Sequence, residues 1–286
     1  MNRRIKWIFA GIASIIAAMM PAEAQTYSPV AFRPLVEMRL AASGTSLARV
    51  CPVDSDAVAR RVFAEYGAMF VSTEQVKFPI RCVFIDETDV SAFQNSIQST
   101  TANIGSTSVQ LQTAAMEALL AARKKARQNG LDISPRGGAT ASRRSYESTV
   151  RIWNSRFEPA LKHWVARKKI SAAEADAART AETHQQVVTV MGWEAEGLYF
   201  NTNFSRTIFS SVAAPGTSQH LAMLALDVEQ FANANVRKIL NDHGWYQTIA
   251  NDLPHFTFLG YPETELPKRG LRPFRQGGFL FWVPNI

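Results

Sequence analysis

Apolar positions along the chain follow two periods, and each predicts an element. Val150, Trp153, Phe157, Leu161 and Trp164 recur at spacings of three and four, the pattern of a helix with one buried face. Val58, Val62, Phe63 and Tyr66 repeat the pattern in a shorter helix, capped by Asp54 or Ser55 and ended by Gly67. Ser108 to Asn129 reads as one long helix with Leu111, Ala115 and Leu119 on a stripe, stopped at Gly130 after Lys124, Lys125 and Arg127. Ser171-Ala172-Ala173-Glu174 has the spacing of a capping box and starts an alanine-rich helix.

Apolar or alternating runs predict strands at Ala68 to Ser72, Val76 to Ile85, Leu221 to Leu226, His255 to Leu259 and Gly278 to Val283. Pro79 marks the second of these as an edge. Gln25 to Ser46 has no clean period and reads as extended, and Asp86 to Gly105 as polar and turn-rich. Helical stretches segregated from strands indicate an α+β fold. The Ser134-Pro135-Arg136-Gly137-Gly138 segment is the candidate boundary between a helical and strand-bearing region, 25–134, and a second region, 135–286.

The first residues change the picture of where the chain works. Arg3, Arg4 and Lys6 precede an apolar run from Trp7 to Met20, and Ala22-Glu23-Ala24 supplies small residues before Gln25. This is the pattern of an export signal, 1–24, and its apolar run is too short to leave a stable membrane span. The expected location is periplasmic or cell-envelope. Net charge falls from +7 to about +5 without the signal, a balance suited to an anionic surface such as cell wall. Nucleic acid is not the expected partner, since no binding motif accompanies the charge. Cys51 and Cys82, the two cysteines of the chain, are an even pair that an oxidising compartment would join as a disulfide.

Most of the chemistry lies between Pro215 and His255. His220, Asp227 and His255 are sufficient ligands for a tetrahedral zinc with one open position, and Asp252 adds a carboxylate three residues before the last of them. In a continuous helix His220 and Asp227 would stand roughly 10 Å apart along the axis. In an unbroken strand they would face opposite sides. A bend between them is therefore required. His163, His184 and His243 have no metal-like neighbours in sequence.

The run Pro215-Gly216-Thr217-Ser218-Gln219-His220, with Asp227 following and Asp252 three residues before His255, resembles the zinc D-alanyl-D-alanine carboxypeptidases and dipeptidases of the VanY/LAS type. Ser142-Arg143-Arg144-Ser145-Tyr146-Glu147 is similar to that family's Ser-Gly-Tyr-Arg-Ser-Tyr-Glu. The resemblance implies one zinc per chain on His220, Asp227 and His255, and Asp252 as general base. It implies Arg144 on a substrate carboxylate or scissile carbonyl, with Ser218 at the substrate. It further implies a central antiparallel sheet flanked by helices, with the zinc at strand ends; the helical and strand-like runs before residue 86 read separately as an extra amino-terminal α/β substructure. The expected partner is a peptidoglycan stem peptide and the expected reaction D,D-carboxypeptidase hydrolysis. Alternatives are an endopeptidase or dipeptidase with the same site, or a non-catalytic cell-wall-binding homologue. Where the family has Gly three residues after the first His, this chain has Met223. Its usual Glu base and Trp before the last His are here Asp252 and Pro254.

Overall fold

The computed structural model describes residues 30–286; the expected export signal, 1–24, lies outside the described residues. The fold is α+β, and its amino-terminal third is helical. Helix α1, Phe32–Ala42, buries Phe32, Val36 and Leu40 at intervals of four. That stripe is hidden in the sequence because Met38, equally apolar, is 62% exposed, so the expected extended segment is in fact a helix. Next come a single turn, α2 (Leu47–Val50), and α3 (Ala57–Tyr66). Asp56, one or two residues beyond the expected caps, accepts from the amides of Val58 and Ala59 at the start of α3.

Neither strand expected before residue 86 forms. Gly67–Val71 is a wholly buried 3₁₀ turn, an outcome that period cannot separate from a strand in so short an apolar run. Val76 to Ile85 is irregular. Its backbone bonds to other loops, with the Cys82 amide donating to Val50 O at 2.8 Å and the Phe84 amide to Gly216 O at 2.9 Å. A disulfide joins Cys51 to Cys82, with Cα atoms 5.2 Å apart. The residues before 86 thus form a helical layer, and the strands of the 25–134 region come later in it.

Helix α4 (Glu87–Asn95), capped by Asp86, leads to an antiparallel hairpin, β1 (Ser99–Ile104) and β2 (Thr107–Gln112). Helix α5 (Thr113–Gln128) follows at once. The single helix expected from Ser108 is therefore a strand plus a helix. Val109 and Leu111 point into the core with Ser108 outward, a period of two that the following helical stripe masks.

The long helix α6 (Tyr146–Ala166) buries Trp153, Phe157 and Leu161 as the spacing requires. It is followed by α7 (Ala172–Thr180), which carries the full Ser171/Glu174 capping box, and α8 (Thr183–Ala195). The chain closes with β3 (Ala225–Asp227), α9 (Ala234–Asp242), β4 (Trp245–Tyr246), β5 (His255–Phe258) and the hairpin of β6 (Leu271–Gln276) and β7 (Phe279–Pro284).

The central sheet has three strands in the order β3-β5-β4, all antiparallel, and every residue of β5 is buried. The hairpins β1-β2 and β6-β7 stand apart from it as separate two-stranded sheets. One apolar cluster runs from Phe32 to Trp282, so helices and sheets share a core. No helix among the described residues is long and apolar enough to cross a membrane.

The disulfide closes a sequence separation of 31 residues around an irregular segment. In the chain-entropy account this stabilises by roughly 3 to 4 kcal/mol. A Cys51→Ser/Cys82→Ser protein is expected to lose about 3 kcal/mol in urea unfolding. A loss below about 1 kcal/mol would mean that the loop's backbone bonds hold it unaided.

Candidate metal centre and cleft

The turn that carries His220 is built by two unusual backbone positions. Gly216 has φ +78°, and a Cβ there would lie 2.0 Å from the Phe84 carbonyl oxygen, so no other residue fits. The 3₁₀ turn Gln219–Ala222 then ends on Met223, which is left-handed at φ +53° and fully buried. This is the bend demanded between His220 and Asp227. A side chain in that conformation costs about 1–2 kcal/mol. Complete burial of the Met223 side chain is of similar size and opposite sign, which accounts for a residue other than Gly at this point.

Past the bend, Asp227 ends β3 directly opposite His255 at the start of β5. Directly opposed residues of antiparallel strands place their side chains on one face. His220 Nε2 and His255 Nδ1 each lie 3.3 Å from Asp227 Oδ1. The potential ligand atoms of all three fall within 4.8 Å of one another.

Both imidazoles are held with a lone pair facing this point. His255 Nε2 is 2.8 Å from Gln219 Oε1. The orientation of that amide is fixed because its nitrogen donates to the Tyr66 carbonyl at 2.8 Å, while Thr257 Oγ1 donates to the same Gln219 oxygen. The oxygen can only accept, so His255 carries its proton on Nε2 and leaves Nδ1 unprotonated. His220 Nδ1 faces the Ser142 carbonyl at 3.4 Å. Its Nε2 is buried and has no hydrogen-bond partner. A buried ring nitrogen without a partner requires an explanation, and two imidazole lone pairs beside a carboxylate oxygen fit zinc.

Charge in the cluster is consistent with that donor set. Burial, with Arg144 nearby, pushes the His220 pKa down to about 4, so the ring is neutral at neutral pH. Burial alone would raise the Asp227 carboxyl, but its interactions with His220 and His255 prevail and hold it well below the usual carboxylate range. Arg144 Nη2 donates to the second Asp227 oxygen at 2.7 Å, and Arg144 Nε to the Thr140 carbonyl at 3.0 Å.

A cleft of about 270 Å³ opens over the cluster, lined by Arg144, Ser218, His220, Asp227, Asp252 and His255. All six residues singled out in the sequence for metal, substrate or catalysis thus meet in one place. Asp252 keeps contact with water, yet the protein around it desolvates the carboxyl and raises its pKa. A larger cavity of about 800 Å³ lies near the disulfide, between Cys82 and His184, and includes none of the three potential ligands.

Gln219, which fixes the His255 tautomer, was not legible in the sequence: its position beside the first histidine was the one available signal. The other histidines are engaged elsewhere. His163 stacks on Phe204, His184 meets Asp56 and His243 bonds the Ile239 carbonyl.

No family profile matches the chain, and no curated protein does. Among solved structures the chain is similar to a variant of the vancomycin-resistance D,D-pentapeptidase VanY from a VanB-type cassette, in complex with Zn(II). That match has 15% identity and a TM-score of 0.34, and covers 61% of this chain and 85% of the other. It is also similar to VanYB in complex with D-alanine-D-alanine, at 17% identity and a TM-score of 0.35, covering 66% of this chain and 92% of that one.

Two outcomes follow from this geometry. Gln219→Leu removes the acceptor that orients His255, and is expected to weaken zinc binding about 10- to 100-fold in a chelator competition. His220 takes up its proton at about pH 4 when folded and near 6.5 when unfolded. Between these values the unfolded chain binds more protons, so stability falls as pH drops. Metal-free protein is expected to lose on the order of 3 kcal/mol from this group between pH 7 and pH 4. In denaturant titrations His220→Gln should flatten that slope.

Proposed function

We propose that this protein is an exported zinc-dependent peptidase that hydrolyses the peptide stems of peptidoglycan, acting as a D-alanyl-D-alanine carboxypeptidase. The observation that carries this reading is the convergence of two correctly oriented imidazole lone pairs and the Asp227 carboxylate on one face of a cleft, with a further carboxylate, Asp252, in its wall. The substrate class is supported by the likeness of the Pro215–His220 and Ser142–Glu147 runs to the VanY/LAS motifs and by the positive charge of the chain. Export is supported by the basic and apolar pattern of residues 1–24.

His220 Nε2, Asp227 Oδ1 and His255 Nδ1 would hold one zinc ion, which when bound supplies Lewis acidity toward a peptide carbonyl. The chain's own residues do the rest. Asp252 takes the proton of the attacking water and returns it to the leaving amine. Its raised pKa moves it toward the pH at which a general base works best. Asp is one methylene shorter than Glu, and the loop of Asn251, itself left-handed at φ +72°, sets the reach of this carboxylate. Arg144 has two of its three guanidinium nitrogens engaged, leaving Nη1 as the donor to the developing oxyanion. Ser218 stands in the same wall, at the substrate.

The mature protein is expected to release terminal D-alanine from a muramyl pentapeptide, and a chelator should abolish the release. Asp252→Ala should lower kcat by about 10²- to 10⁴-fold while zinc content, read by atomic absorption, stays unchanged. Because Asp252 acts deprotonated, kcat/KM should fall on the acid side at a pH above the ordinary aspartate range. Pentapeptide binding with no hydrolysis of any bond would overturn the reading.

A further inference from the structure

We infer that Arg156 is a carboxylate-binding subsite of the cleft, taking an anionic group of the peptide that Arg144 is not free to hold. The inference rests on the peptidase reading for the nature of the ligand, and on geometry for the site. Two guanidinium groups line the cleft, those of Arg144 and Arg156. The charge of Arg144 is met by Asp227 at 2.7 Å. Arg156, by contrast, has no ion pair among the described residues. Its Nη1 reaches only its neighbour Ser155, at 3.0 Å to the hydroxyl and 3.4 Å to the carbonyl. Its Nε is buried and has no partner.

The helix explains why this arginine stands where it does. Pro159, inside α6, has no amide to give to the Ser155 carbonyl four residues earlier. Arg156 Nη1 sits against that carbonyl, which draws the side chain back along the helix. Ile152, one turn earlier, lines the same cleft, as residues four apart on a helix share a face. Phe209 walls this end, packing edge-on against Trp153 with ring centroids 5.9 Å apart. A guanidinium in the cleft lining with no counter-charge among the described residues is the group that a substrate carboxylate meets by a charge-assisted contact. Such a group on the substrate is either the terminal carboxylate or a side-chain carboxylate upstream of the cleaved bond.

The test uses full-length mature protein and three peptides: L-Ala-D-isoglutamate-L-Lys-D-Ala-D-Ala, its C-terminal amide, and the form with the isoglutamate carboxyl amidated. Binding to zinc-free protein is measured by calorimetry, and turnover is measured in parallel with zinc. Wild type should bind the parent about tenfold or more tightly than one of the two amides, and which one identifies the carboxylate held. Arg156→Ala should weaken the parent by the same factor and abolish the difference, and Arg156→Lys should fall between, with far-ultraviolet circular dichroism confirming that both variants are folded. Equal binding of the three peptides by wild type, no binding of any, or a preference that survives Arg156→Ala overturns the subsite. Discrimination lost in Arg156→Ala without turnover by wild type sinks the peptidase reading and leaves the subsite standing. Turnover with discrimination untouched by the substitution does the reverse.

Discussion

The antiparallel pairing of β3 with β5 is the constraint on which the site depends. It sets Asp227 opposite His255 in register. A slip of one residue would turn every side chain of a strand to the other face. Burial prevents the slip: Phe256 and Phe258 are almost completely inaccessible, as is Leu226 directly across from Phe256. The polar cluster is thus held in place by apolar neighbours that alternate with it along the same two short strands.

Around that pairing the protein assembles a shell of polar groups whose work is orientation. Gln219 touches the Tyr66 carbonyl, Thr257 and His255 at once. Thr257 in turn lies 2.7 Å from Thr248. Buried networks of this kind rigidify when every member is satisfied. The one unsatisfied member here is His220 Nε2, the atom that faces the other potential ligands. Arg144 extends the same logic to Asp227, fixing one oxygen so that the other is left to the cluster.

Elements with a local signature could be read from sequence: α6 from its stripe, α7 from its capping box, β5 from its flanking turn and alternation. The three potential ligands were legible because imidazole and carboxylate chemistry narrows the choice, and the need for a bend followed from helix and strand dimensions alone. What the sequence concealed was non-local. The burial of Gly67–Val71 decides between turn and strand only once neighbouring elements pack on it. Helix α1 was masked by apolar residues on its exposed side, and β2 by the helix that follows without a break. Gln219 has only its place beside His220 to mark it, because an amide becomes an orienting group only when a carbonyl from α3 and a hydroxyl from β5 arrive beside it.

The Gln219 to Tyr66 bond also says something about the order of events. It joins residues 153 apart in sequence, and Ser72 reaches the Phe258 carbonyl across 186. Contacts of such separation carry a large loop-closure cost and form slowly. The His255 tautomer is therefore set only after the helical layer has docked on the sheet. A chain folded over its second half alone has all three potential ligand side chains but lacks the Tyr66 carbonyl that fixes Gln219. Orientation of the His-Asp-His cluster is thereby coupled to assembly of the whole fold.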